Sequence, residues 1–246
     1  MNILITGASS GIGKELAHQL ADKGHDLILI ARRLNRLQQI KADHPKNNIK
    51  LIKADLSKIQ EINTFYASIK NETIHLWFNN AGFGQYGFSN QIQTEKEIDM
   101  IQLNVLSLHR LTKFAIDHMK TGKIINISSL ASFLPTPKLA SYAASKAYVT
   151  TYSEALNYEL KTQNIPISVL TVTPGPVKTE FGKVAGTDQK MKAMPVKQCV
   201  KIILKGVEKN KAIIVPGFKM KLLRWFLKFT PKKLILSMSL KIQNKK

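Results

Sequence analysis

The stretch NILITGASSGIG, residues 2–13, runs from a short apolar segment straight into a glycine-rich turn. Residues 2–6 have the make-up of a β-strand, and the segment GKELAHQLADKG behind them spaces its apolar residues at helical intervals before ending at Gly24. A second apolar run, LILIA at 27–31, completes a β-α-β unit. The same alternation continues outward. Helices are expected near 33–43, 58–70, 95–118, 142–162 and 196–209, with strands at 49–54, 74–78 and 123–127 and then in IPISVLTVTP and AIIVP. Apolar strands divided by helical segments imply a parallel sheet covered on both faces. No linker rich in Gly, Ser or Pro divides the chain, and no solenoid-like repeat is present. The expected architecture is α/β: one doubly wound domain with a mostly parallel seven-stranded sheet flanked by helices.

Composition agrees with a single large core. A chain of 246 residues with 44% hydrophobic content can bury one. The lone cysteine, Cys199, excludes an internal disulfide framework and suits a reducing compartment. The start MNILITGASSG has no basic leader, so it reads as the first strand rather than a secretory signal, and a cytoplasmic location is expected. The six histidines are scattered and no H-E-x-x-H motif occurs, so no metal site is expected. The formal charge of +21, from 37 Lys and Arg against 16 Asp and Glu, is unevenly spread. No acidic residue follows Glu208, while the last 38 residues hold 11 Lys or Arg.

The turn TGASSGIG at 6–13 stands between the first strand and the first helix, where glycines acquire a specific use. Gly7, Gly11 and Gly13, with Ser9, Ser10 and Ile12 among them, can bring backbone close to a pyrophosphate at the helix N-terminus. The spacing departs from G-x-G-x-x-G and lacks a P-loop lysine; a purely structural turn is the competing reading. At the end of the second strand, Ala31 is followed by Arg32 and Arg33. Guanidinium groups there would attract a ribose 2′-phosphate that an acidic residue would repel, which favours NADPH over NADH. Arg33 can equally face solvent at a helix start, which makes Arg32 the stronger candidate. Asp55 can accept from an adenine amino group or cap the next helix, with Leu56 beside it.

The chemistry should lie at the carboxyl ends of the middle strands. NNAG at 79–82 follows the fourth strand, and its small residues permit close approach by a cofactor, while Asn79 can tie neighbouring strand ends together. Asn80 and Asn104 are open to turn or cap roles as well. INISS at 125–129 ends the fifth strand, and YAASK at 142–146 places Tyr142 and Lys146 one helical turn apart on one face. A phenol is a poor acid or base near neutrality unless its anion is stabilised, and a neighbouring ammonium supplies that stabilisation. Ser129 can then donate to a substrate oxygen held beside the phenol.

With these residues in place the chain resembles the short-chain dehydrogenase/reductase family, in its classical branch. The resemblance rests on TGASSGIG, Asp55, NNAG, Asn104, Ser129, YAASK and PGPVKTEF at 174–181, and covers roughly residues 1–215. It implies a Rossmann-type domain and a catalytic tetrad of Asn104, Ser129, Tyr142 and Lys146, with Asn104 holding a water in a proton relay through Lys146. It also implies that NADP(H) meets the glycine turn, Arg32, Arg33, Asp55 and Leu56, then Asn80, Ala81 and Gly82, then Tyr142 and Lys146, and finally Pro174, Gly175, Val177 and Thr179. Members that use NADPH often carry basic residues at either of two places, and only one is basic here: Arg32 fits, while Ser10 stands before Gly11. The activity implied is hydride transfer between NADPH and an apolar ketone or secondary alcohol, in a dimer or tetramer built through the long helices. The alternative is a protein that binds NADP without turnover, as a sensor or scaffold.

Substrate in such a family meets LASFLPTPKLAS at 130–141 and the lid near 181–197, so Phe133, Leu134, Leu139, Phe181 and Met194 are candidate pocket residues. Residues 216–246 form a basic, aromatic extension in which Leu222, Leu223, Trp225, Phe226, Leu227 and Phe229 alternate with Lys219, Lys221, Arg224 and Lys228 before Pro231. It has no charge-free span long enough to cross a bilayer. Packing on the core or a second subunit, and peripheral contact with a membrane, both fit it. Nucleic acid does not, because the body of the fold offers no basic face or module to bind it.

Overall fold

In the computed structural model, which describes residues 1–187 and 193–244, the chain alternates strand and helix almost throughout. The first half runs β1 (Asn2–Thr6), α1 (Gly11–Asp22), β2 (Asp26–Ala31), α2 (Leu34–Asp43), β3 (Ile49–Lys53), α3 (Ile59–Ile69) and β4 (Leu76–Asn79). After it come α4 (Thr94–Ile101), α5 (Leu108–His118), β5 (Gly122–Ile127), α6 (Ala140–Thr162) and β6 (Ile167–Val172). The remainder is β7 (Val177–Lys178), α7 (Phe181–Ala185), β8 (Met194–Pro195), α8 (Val196–Glu208), β9 (Ile213–Ile214), α9 (Phe218–Leu227) and α10 (Lys232–Gln243).

Seven strands form one sheet in the order β3-β2-β1-β4-β5-β6-β9, and every neighbouring pair is parallel. The chain first winds outward from β1 through β2 to β3, then returns to the other side of β1 to lay down β4. The resulting reversal between β1 and β4 opens a crevice at their carboxyl ends, where open α/β sheets take their ligands. Strand side chains alternate between two core layers. Ile3, Ile5, Leu27 and Leu29 point into the layer under α1, α2 and α8, while Leu4, Ile28, Ile30 and Ile124 point into the layer under α3, α5 and α6. A continuous apolar strand is what both faces require.

The long helix expected near 95–118 is interrupted. Residues Gln102–Ser107 between α4 and α5 wind as a π-helix, and the Ser107 hydroxyl donates to the Gln102 carbonyl five residues back at 2.8 Å. An added residue in a helical turn rotates the side chains that follow, and such turns collect at functional sites. This one carries Asn104, fully buried. The last two helices break at Pro231, which cannot donate the hydrogen bond a continuing helix would need. Part of the lid expected over 181–197, residues 188–192, lies outside the described residues.

Candidate active site

The end of β1 and the end of β4 are stitched together by side chains. Thr6 donates its hydroxyl to the Phe78 carbonyl at 3.2 Å and accepts from the Asn80 and Ala81 amides at 2.9 and 3.0 Å. Asn80 returns the tie, donating to the Thr6 and Gly7 carbonyls at 3.0 and 3.3 Å. The glycines make this closeness feasible. Gly7 has φ +65°, and a Cβ there would stand 2.9 Å from the Ala81 Cα. A Cβ on Gly13 would overlap the Gly7 carbonyl and the Asn80 amide. Asn79, by contrast, points away into the sheet. It accepts from the Trp77 indole at 2.8 Å and donates to Thr112 and Asn126 at 3.1 and 2.9 Å, and Asn126 passes the chain on to Ser153 at 2.9 Å. This buried polar belt holds β4, β5, α5 and α6 in one register just behind the crevice.

Next to that edge the structure gathers Ser129, Tyr142, Lys146, Asn104 and Gly82. Ser129 is the last residue before a short 3-10 turn, Leu130–Phe133, and Tyr142 lies in the first turn of α6. Burial pushes the Tyr142 phenol up to about 12, and its hydrogen bond with the Ser129 side chain pulls in the opposite direction. Burial pushes the Lys146 amine down to about 8. The Lys146 Nζ donates to the Ile127 carbonyl at 3.0 Å and lies 5.9 Å from the centre of the Tyr142 ring. The backbone under it is held as well, since the Ser128 hydroxyl donates to the Lys146 carbonyl at 2.8 Å. Asn104 spends its side chain on clamping: its amide accepts from Phe83 N–H at 3.1 Å and donates to the Phe83 carbonyl and the Ser145 hydroxyl at 2.8 and 3.2 Å. A Cβ added to Gly82 would fall 2.8 Å from the Asn104 carbonyl oxygen and 3.4 Å from the Lys146 Nζ, so these three residues enclose one spot.

A profile described as short chain dehydrogenase matches residues 1–190. The chain belongs to the short-chain dehydrogenase family. Among curated proteins, the 17-beta-hydroxysteroid dehydrogenase type 3 of Rattus norvegicus is 33% identical over 215 residues, covering 83% of this chain and 70% of that one. Among solved structures, a short-chain dehydrogenase from Sphingobium yanoikuyae in complex with NADPH superposes with a TM-score of 0.82 at 32% identity, covering 88% of each chain. The bulky-bulky ketone specific alcohol dehydrogenase from Comamonas testosteroni gives 0.77 at 28% identity, covering 94% of each.

Short-chain dehydrogenases bind a nicotinamide cofactor, and the groove of this one fits a dinucleotide at its tightest points. In the turn between β1 and α1, Gly7 and Gly13 pack too closely on the β4 end for a Cβ, and Gly7 and Gly11 hold left-handed backbone, which is how such a turn brings its amides toward a pyrophosphate. At the groove's outer end Arg32 is 71% exposed and lies 3.8 Å from Asp55. Arg33 is exposed at the helix start, as one of its two readings had it, and it also reaches two partners. Its Nε donates to the Ser9 hydroxyl at 3.2 Å within the glycine turn, and its Nη1 meets Glu180 at 3.1 Å. The other Glu180 oxygen accepts from Arg36 at 2.7 Å. Asp55 folds one oxygen back onto the Ser57 amide and hydroxyl at 3.1 and 2.8 Å, a local turn that leaves its second oxygen toward Arg32. Leu56 is buried in one core layer and Ile12 packs against the other, so their backbones are what they offer a ligand. Ser10 forms the extended residue just ahead of α1.

The far wall comes from the segment after β6. Pro174 accepts from the Leu130 amide at 2.9 Å, and a Cβ on Gly175 would strike the Met220 sulfur. Val177 pairs with Met194, and the Thr179 side chain faces Gly11. Of the five apolar pocket candidates, Phe181 reaches the centre, its ring 5.4 Å from that of Tyr142. Phe133 instead lies under the Arg224 guanidinium at 4.6 Å, and the Met194 methyl faces Gly217. Leu134 and Leu139 are half-buried on the approach to α6. Glu180, Ser145 and the Asn126 to Ser153 link escape the sequence reading, because nothing local marks their partners.

Proposed function

We propose that this short-chain dehydrogenase is an NADP(H)-dependent carbonyl reductase and alcohol dehydrogenase acting on bulky apolar ketones or secondary alcohols. The observation that carries this reading is that Tyr142 and Lys146 are both buried at the crevice, with the Lys146 ammonium 5.9 Å from the Tyr142 ring and the Ser129 side chain beside the phenol. When bound, the nicotinamide supplies the hydride. Ser129 holds the carbonyl oxygen at the phenol, and Tyr142 gives it the proton. Lys146 stays charged through neutral pH and steadies the phenolate that remains. Asn104, locked onto Phe83 and Ser145, keeps the loop carrying Gly82 in place against that lysine. The apolar substrate class is supported by Phe181 against Tyr142 and by the named activities of the rat and Comamonas relatives. Outward-facing Ile98, Ile101, Leu106 and Tyr148 on the long helices support a homo-oligomer built through that side. Initial rates of NADPH and NADH oxidation across steroid, long-chain 3-oxoacyl and small ketones test the proposal; tight cofactor binding with no turnover on any of them would favour the sensing alternative.

Two expectations attach to it. Ketone reduction should be flat below about pH 7 and fall as pH rises with a midpoint near 8, where Lys146 loses its charge. The Tyr142 proton is not the limiting one in that window, because burial holds it until about 12. A reduction profile that stays level to pH 10 would remove Lys146 from the proton chemistry. Second, Glu180 occupies donors of both Arg33 and Arg36 at the edge where a 2′-phosphate would be read. Glu180→Ala should tighten NADPH by about threefold to fivefold, the scale of an exposed ion pair, and leave NADH unchanged. Titration calorimetry with both cofactors decides it, and equal shifts for the two would detach these arginines from the phosphate.

A further inference from the structure

The two terminal helices are turned the wrong way round for a water-facing surface. Helix α10 buries Ile235, Ser239 and Gln243, a stripe that is two-thirds polar, and exposes Leu234, Leu236, Met238 and Ile242. Helix α9 turns the Arg224 guanidinium inward over Phe133 and leaves Trp225 and Phe226 about half exposed, with Phe229 71% exposed just beyond it. An amphipathic helix on a globular surface shows the opposite arrangement. Of the 18 exposed large hydrophobics in the described residues, ten lie between Phe218 and Ile242, so the exposed apolar side chains concentrate on these two helices. Six exposed lysines, from Lys219 to Lys241, are interleaved with them, and no acidic residue occurs after Glu208.

We infer that this face docks on an anionic lipid bilayer. Rings of Trp and Phe seat at the boundary between headgroups and acyl chains, and lysines beside them meet the negative headgroups. Charge decides against a second copy as the occupant. A two-fold contact would set the same acid-free patch, with its six exposed lysines, against itself, with nothing in it to pair the charges. Insertion is shallow, since no described helix is long and apolar enough to cross a membrane. The inner sides of the same helices reach the loops around the crevice: Met220 faces Gly175, Arg224 covers Phe133, and the Tyr86 hydroxyl donates to the Gln243 carbonyl. Docking therefore sets the mouth of the crevice at the lipid surface. The inference is independent of the catalytic reading, because binding is measured without turnover.

The full chain is to be sedimented with vesicles of phosphatidylcholine alone and with phosphatidylglycerol added. Trp77 is fully buried, so a blue shift of tryptophan emission on vesicle addition reports Trp225. Expected are co-sedimentation with the anionic vesicles only, release by salt, and the blue shift. Trp225→Ser with Phe226→Ser and Phe229→Ser, and separately Lys219→Glu with Lys221→Glu and Lys228→Glu, should each weaken binding by at least about tenfold. All six positions are exposed, and unchanged thermal midpoints would show that the fold is intact. No sedimentation at low salt, equal binding to neutral vesicles, or a lipid-free dimer in which Trp225 is already blue-shifted would each overturn the inference.

Discussion

Tyr142→Phe is expected to lower kcat for ketone reduction by about three to four orders of magnitude, the range a positioned general acid supplies. The substitution removes one oxygen and leaves the ring where it packs against Phe181 and over Gly84. The Ser129 hydroxyl keeps a partner, since it already accepts from the Ala131 amide at 3.2 Å. Stability should change by no more than about 1 kcal/mol, the net value of one hydrogen bond. Cofactor affinity should stay within about twofold, because the glycine cradle and the arginine edge lie at the other end of the groove. Single-turnover rates and a cofactor titration on the same preparation separate the two effects. A variant that loses cofactor binding along with turnover would mean that Tyr142 holds the cofactor instead of moving a proton.

Lys146→Met should be nearly as damaging to activity and, unusually for a core position, should not cost stability. The ammonium is held where burial lowers it from 10.5 to about 8, which corresponds to a penalty on the order of 3 kcal/mol at neutral pH. The sign follows from proton binding: between about pH 8 and 10.5 the unfolded chain holds the proton and the folded one has released it, so stability climbs over that interval. Below pH 8 the folded protein carries the full penalty. Methionine fills a similar volume without charge, although the Ile127 carbonyl then loses its donor and returns about 1 kcal/mol of the gain. Thermal unfolding at pH 7 should show a midpoint equal to or above that of the parent, and the parent's rise toward pH 10 should vanish in the variant. A variant that unfolds several degrees lower would show that Lys146 is there for structure. The expected trade of stability for chemistry is common where a charge must be kept buried to work.

Much of the site was legible because its signals are local. Gly7 needs a left-handed backbone, and Gly11 and Gly13 lie within six residues of it, so one turn of sequence announced the cradle. Tyr142 and Lys146 are one helical turn apart, and helix geometry alone places them on one face. Arg33 shows where local reading ended. Its partner Glu180 is 147 residues away, and a helix-start arginine with no nearby acid gave no reason to expect it. Asn104 was legible as a residue but not in its use, because the π-turn that buries it comes from one extra residue of winding and leaves no periodic mark.

The sequence by itself determined the alternation of the seven sheet strands with the helices between them, the parallel doubly wound sheet and the crevice edge where a nucleotide must lie. Apolar run length, helical spacing and glycine are properties of neighbouring residues, so they survive being read along a line. Only the tertiary structure decided that Glu180 covers the arginines, that Phe181 rests on Tyr142, that Asn79 and Asn126 lock the strands behind the site, and that α10 wears its apolar side outward. Each of these depends on which of two faces a segment turns toward a partner far away in the chain, and that choice is made by packing of the whole core.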